Sequence, residues 1–254
     1  MHKIDPIKNI IDESGNNFHC KVVRYFTEKG WYVLVSPYYT DFVTDKPREI
    51  DIITEKVYPI HANFNIIYIS VKLYVECKYI PHEVVFWFSD KDKKRSKDWL
   101  LKHTPITENN VYINKHHYNN EKNTKVAKLF ASSFNKQIEN ETIFRAINQC
   151  LNATIYNKFS SSIIPNNKTK ITKILHYPVI VFNSFDKFYR VDMDVDNEPL
   201  KIDDSFQHEI NYAYLNQDKK SRNEYFLIDF VEFIKLDNFL DIIEQDVLAI
   251  GNFY

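Results

Sequence analysis

Glycine is almost missing from this chain. Gly15, Gly30 and Gly251 are the only three in 254 residues, and each stands far from the others. A phosphate-cradling P-loop or a G-x-G-x-x-G dinucleotide turn needs several glycines in one short loop. The chain is therefore neither the ATPase nor the dehydrogenase of a larger system. Cysteine is equally sparse. Cys20, Cys77 and Cys150 are odd in number and widely spaced, which indicates neither a disulfide framework nor a zinc knuckle. They read as small core residues. No apolar run approaches the roughly 20 residues needed to span a bilayer. The first residues, Met1 to Asp5, lead into mixed charges rather than an apolar signal stretch. The expected location is the cytoplasm, with no membrane partner.

What is present is ordinary in bulk and uneven in detail. A chain 44% hydrophobic and 26% charged has the balance of a folded globular protein, and this length can bury a sizeable core. The net charge of −1 conceals an asymmetry. Residues 91–136 hold eleven Lys or Arg against four Asp or Glu, a balance of +7, leaving −8 for the remainder. A basic segment beside an acidic body suits a protein that holds a polyanion and carries metal-binding carboxylates. A solvated loop is the plainer alternative. The expected organisation is one domain over 1–254, with a core at about 10–90 and 140–250 and a basic insertion at about 90–136.

Periodicity places the elements. Phe18, Val22, Tyr25 and Phe26 share one helical face over 16–29, and Gly30 suits the position just past the helix end. Strands are expected at 31–35, 49–54, 66–79 and 84–88, the last rich in aromatic and β-branched residues. A helix at about 140–158 carries Ile143, Ile147, Leu151 and Ile155, each four apart. Strands at 177–183, 187–193 and 225–234 follow, and a helix over 237–250 closes the chain. Helices alternating with strands predict an α/β fold, a central mixed β-sheet flanked by helices.

The chemistry is carried by two strands. Along 71–79 side chains alternate between faces. Val71, Leu73, Val75, Cys77 and Tyr79 take one side, while Lys72, Tyr74, Glu76 and Lys78 take the other. Glu76 and Lys78 thus project together, about 7 Å apart along the strand. Upstream, Asp51 sits among Ile50, Ile52 and Ile53, a setting in which a lone carboxylate is costly. If the two strands pair as a hairpin, Asp51 and Glu76 can share one hard cation. Magnesium takes one or two carboxylates with water and substrate phosphate, and the backbone carbonyl of Cys77 is a further oxygen. Lys78 would orient the attacking water and stabilise developing charge, or act as a base if its pKa is lowered. A bound metal acidifies water and neutralises phosphate oxygens. The set suits phosphodiester hydrolysis.

Asp51 followed 25 residues later by Glu76, Cys77 and Lys78 resembles the D…E-x-K signature of the PD-(D/E)XK, or restriction-endonuclease-like, nuclease superfamily. Residues at about 10–90 carry most of the resemblance, and 140–245 fit more loosely. It implies that superfamily's fold and a Mg²⁺- or Mn²⁺-dependent endonuclease acting on DNA, of a kind common in restriction, repair and prokaryotic antiviral defence. An RNA nuclease, or an inactive nucleic-acid-binding or assembly subunit, are the alternatives. An activating partner is expected to be a second copy or a regulatory protein, since no sensor module is recognisable.

Where many relatives place a glutamate after G-x-x-F in the first helix, this chain has His19. His19, or Glu13 one turn upstream, is the candidate accessory group there, and Gln149 is another, since some relatives use a glutamine in the corresponding helix. All three also read as ordinary helix residues. Lys91, Lys93, Lys94, Arg95 and Lys97 are the candidate contacts to a nucleic-acid backbone. His116 and His117 have no Cys or His partner at a metal-ligand spacing and are expected in a solvated basic loop.

Overall fold

The computed structural model describes residues 7–8, 11, 15–62, 65–104, 106, 111–121, 124–132, 138–158, 162–165 and 170–251, with the backbone alone at 62, 65, 111 and 138–141. Glu13 lies outside these residues. Helix α1 (Asn16–Glu28) buries Phe18, Val22 and Phe26, the face their spacing predicts. Gly30, at φ 76, takes the left-handed conformation that ends it. Strands β1 (Tyr32–Val35), β2 (Tyr38–Asp41), β3 (Lys46–Glu49), β4 (Ile52–Ala62), β5 (Asn65–Lys78) and β6 (Val84–Asp90) follow. Then come α2 (Lys93–His103), a 3₁₀ turn (Val111–Lys115), β7 (Lys125–Ser132) and α3 (Ile138–Asn157). Strands β8 (Lys173–Phe182), β9 (Phe188–Asp192), β10 (Leu200–Lys201), β11 (Phe206–Leu215) and β12 (Ser221–Glu232) precede the last helix, α4 (Leu236–Gly251).

All but β2 and β3 join one mixed ten-stranded sheet in the order β1-β4-β5-β8-β12-β11-β7-β6-β9-β10. The hairpin β4–β5 is antiparallel, while β5, β8 and β12 run parallel, the β5–β8 crossover passing through α3. Val71, Leu73 and Val75 of β5 pack on one face with Phe18 and Val22 of α1, Leu100 of α2, and Phe239 and Ile243 of α4. The other face carries Ile180, Phe182, Ile228 and Phe230 beneath Ile143, Ile147 and Leu151 of α3. Both faces of the central strands are covered, as parallel strands require. Much of the described phenylalanine is core: Phe86, Phe182, Phe188, Phe206 and Phe230 form a packed cluster, with ring pairs such as Phe86–Phe206 at 5.0 Å and Phe182–Phe230 at 5.2 Å.

The α/β expectation holds, with two corrections. The basic segment is not looped out of the core. It supplies α2, and β7 lies inside the sheet between β11 and β6, with Val126 and Ala127 fully buried. Its flanking charges hide a short apolar run that only sheet pairing reveals. Strand β11, which aliphatic patterning does not announce, alternates through Phe206, His208, Ile210, Tyr212 and Tyr214. No helix among the described residues is long and apolar enough to cross a membrane.

Gly251 at the end of α4 is a tight contact. A Cβ there would stand 2.6 Å from Cγ2 of Ile60. Gly251→Ala is expected to cost about 1–3 kcal/mol by overpacking. Urea denaturation should show that loss, and adding Ile60→Ala should recover part of it. A neutral Gly251→Ala change would contradict this packing.

Candidate active site

Ile52 of β4 lies opposite Val75 of β5, so one further step carries Asp51 opposite Glu76. The expected hairpin is present, and its register brings the two acids together. The Cys77 N–H donates to Oδ2 of Asp51 at 2.7 Å, and the Asp51 N–H reaches Oε1 of Glu76 at 3.4 Å. The Lys78 ammonium donates to Oε2 of Glu76 at 2.7 Å and stands 3.8 Å from Oδ2 of Asp51. The Glu76 side chain is wholly buried, while those of Asp51 and Lys78 keep 26% and 18% of their surface. One acid thus lies at the floor of a notch whose other two members reach solvent. Oδ1 of Asp51 accepts no hydrogen bond among the described residues.

Burial pushes the Glu76 carboxyl up to about 7, the nearby Asp51 adds to this, and Lys78 opposes it. For Lys78, burial alone would lower the pKa, but the two carboxylates outweigh it and raise the group above its ordinary value. Lys78 is therefore a fixed cation. The role of a base, which needs a lowered pKa, is not supported.

His19 and Gln149 reach the site through main chain. Nε2 of His19 lies 3.0 Å from the carbonyl of Asp51, and Nε2 of Gln149 donates to the carbonyl of Glu49 at 3.1 Å. Ser36 N–H donates to the same Asp51 carbonyl at 2.8 Å. Helix α1, the residue after β1 and helix α3 thus clamp the turn that presents Asp51. These are positioning contacts, and neither side chain meets a carboxylate of the site.

The basic patch falls elsewhere. Lys93, Lys94 and Arg95 are exposed and Lys97 is half-buried. Arg95 lies over the ring of Tyr225, 5.5 Å from its centroid. Leu100 and Tyr225 belong to the same core layer as Val75, so α2 covers the face of the sheet opposite Glu76 and Lys78. Lys91 is not a surface group at all. It is 6% exposed, its Nζ donates to the Tyr118 carbonyl at 3.2 Å, and burial lowers its ammonium to about 8. The patch and the Asp51 site thus lie on opposite faces of the sheet.

A second polar cluster lies on that opposite face. His116 and His117 are 1% and 4% exposed, which corrects the expectation of a solvated loop. Nδ1 of His117 meets Oδ2 of Asp246, and its Nε2 meets Oδ2 of Asp229 at 3.2 Å. Tyr118 and Tyr177 hydroxyls donate to Asp229 and Asp246 at 3.2 and 3.3 Å. Burial opposes a charged His117, but the two carboxylates prevail and hold it near 10, while burial keeps His116 neutral, near 4. Donor atoms of His116, His117 and Asp246 lie within 4.8 Å of one another, close enough for one metal ion. Both nitrogens of His117 face carboxylates, so the cluster is knit together as a buried ion-pair network. Its signal in the sequence is two acids in apolar surroundings: Asp229 in Tyr225–Val231 and Asp246 between Ile243 and Val247.

Comparison with family profiles, curated proteins and solved structures finds no match for this chain.

Proposed function

We propose that this protein is a metal-dependent nuclease of the PD-(D/E)XK kind that hydrolyses phosphodiester bonds of DNA. The observation that carries the reading is the meeting of Asp51, Glu76 and the Lys78 ammonium at the open end of one hairpin. The order of helix α1, strand β1, the strand that Asp51 leads into, the E-x-K strand and, after β6, α2 and β7, helix α3 and a strand parallel to the E-x-K strand supports the restriction-endonuclease-like reading.

The donor set fits a hard divalent cation: Asp51 and Glu76 supply carboxylate oxygens, the Cys77 carbonyl is a third candidate, and no thiolate or imidazole joins them. A carboxyl as deeply buried as Glu76 is also one that a cation would favour in its charged form. Mg²⁺ or Mn²⁺, when bound, supplies an acidified water and neutralises phosphate oxygens. Lys78, protonated across the neutral range, places a fixed charge beside the attacking water and the developing negative charge. Glu76 must lose its proton to act as a ligand and a bound cation favours that loss, so cleavage should rise with pH and the rise should move to lower pH as the metal concentration is increased.

The full chain is to be incubated with plasmid, linear and single-stranded DNA and with RNA, in Mg²⁺ or Mn²⁺, beside Asp51→Ala, Glu76→Gln and Lys78→Met. Each substitution is expected to reduce DNA cleavage by roughly 100-fold or more without loss of the folded state. Cleavage indifferent to all three would remove the assignment. Absence of cleavage in every condition would favour a binding or assembly role.

A further inference from the structure

Strands β8 and β12 pair only from Val179 and Asp229 onward. Over residues 173–178 the sheet is split, and the gap holds a cavity of about 240 Å³. Its wall draws on both faces of the sheet: Trp99 and His103 from α2 on one side, Thr154 and Lys158 from α3 and its end on the other, with Lys173 and His176 from β8 between them. A cavity of this size suits a small molecule rather than a length of polymer.

Three properties of the wall converge. The first is charge. Lys102, Lys158 and Lys173 line the cavity, and no acid does so among the described residues. Glu224, just outside it, takes Lys102 at 2.5 Å, His103 at 2.9 Å and Lys158 at 3.6 Å. Lys173 makes no ion pair among the described residues, so one carboxylate stands against three ammonium groups. The second is an unmet donor: the Nε1–H of Trp99 is buried without a hydrogen-bond partner among the described residues, a condition that calls for an explanation. The third is the apolar remainder of the wall, including Trp99 and Phe226, which suits a flat ring.

We propose that this cavity binds a small aromatic anion of the nucleotide class, its ring between the apolar walls and its phosphate at the lysines. Burial and the surrounding cations, Lys72 and Lys158 foremost, push His176 down to about 3. The cavity is separate from the Asp51 site. His176 lies four residues before Ile180, the partner of Glu76, or about 13 Å along the strand. Two elements join them: Tyr74 of β5 bonds His176 Nδ1 at 2.9 Å, and α3 carries Gln149 and the cavity residue Thr154, with Lys158 just past its end.

The test is calorimetric titration of the full chain, at low salt, with AMP, GMP, CMP and UMP. Adenosine, inorganic phosphate and a short single-stranded oligonucleotide serve as comparisons. At least one mononucleotide is expected to bind with a Kd below about 1 mM, with adenosine and phosphate at least tenfold weaker. Lys173→Met, at the half-buried first residue of β8, and Trp99→Phe should each weaken it tenfold or more. Should Trp99→Phe fail to fold, Lys173→Met still decides. Asp51→Ala should bind as the unaltered chain does, which keeps this result independent of the nuclease reading. No saturable binding up to about 10 mM overturns the proposal. So does equal binding by Lys173→Met, phosphate as tight as any mononucleotide, or an oligonucleotide that binds more tightly and is not displaced by them.

Discussion

Asp246→Asn should destabilise the fold by about 3–5 kcal/mol, the cost of removing one partner from a buried ion pair. Asp246 is 1% exposed, and its two oxygens serve different purposes. Oδ1 accepts the backbone N–H of His117 at 2.9 Å, fixing the turn after the 3₁₀ segment to α4. Oδ2 takes the His117 ring and the Tyr177 hydroxyl. An amide at this position keeps the shape but loses the charge, leaving the buried imidazolium with Asp229 alone. The loss should appear as a lower urea midpoint with an unchanged slope. Coupling is the sharper measurement. His117→Gln combined with Asp246→Asn should cost at least about 1 kcal/mol less than the sum of the single changes, because the two residues share one network. Strict additivity, or a loss below about 1 kcal/mol for Asp246→Asn, would show that the pair is not the ionic clamp its geometry describes.

That cluster also marks where sequence reasoning stops. The Glu76–Lys78 pair is legible because strand alternation is local: two residues apart on one strand means one face. Asp51 can be joined to it because a hairpin is the simplest link between neighbouring strands. The helices are legible for the same reason, since Phe18, Val22 and Phe26, or Ile143, Ile147 and Leu151, repeat within a few turns. His117 meets Asp229 and Asp246 across 112 and 129 residues, and no periodicity spans that distance. An acid inside an apolar stripe says that a partner exists, not which one. Strand β7 is hidden in the same way, because its pairing with β6 and β11 is what makes a sheet strand of a charged segment. The cationic cavity is assembled from α2, α3, β8 and β12, and no single stretch of sequence contains it. The charge asymmetry of residues 91–136 is real, but the described charges are dispersed: Lys93, Lys94 and Arg95 are exposed on α2, Lys91 is buried, and Lys125 and Lys128 are paired with acids.

Stability should fall steeply in mild acid, by about 2–3 kcal/mol per pH unit between pH 6.5 and 4.5. His116 and His208 are buried and held neutral, each near 4, with burial the leading cause. His176, on the cavity wall, is held near 3. Their pKa values in the unfolded chain are near 6.5. The unfolded state therefore binds two to three more protons in this window, and the stability present above pH 6.5 is lost as the pH falls. Glu76 acts in the opposite direction. Its folded value of about 7 lies above its unfolded one, so the folded state binds the extra proton there and about one proton is offset. His117 is already charged in both states at the acid end. The total over two pH units approaches the 5–15 kcal/mol that holds an ordinary domain. Unfolding followed by circular dichroism should thus have its midpoint at or above about pH 4, and urea midpoints at pH 7, 6 and 5 should decline in step. His208→Phe offers the discriminating variant. His208 stacks on Phe230 at 5.6 Å and its Nδ1 has no hydrogen-bond partner among the described residues, so phenylalanine fits the same aromatic layer and removes one titrating group. Its stability should change less with pH by about one proton's worth, roughly 1.4 kcal/mol per pH unit. A slope identical to that of the unaltered chain would show that His208 is not among the buried neutral imidazoles that make the fold acid-labile.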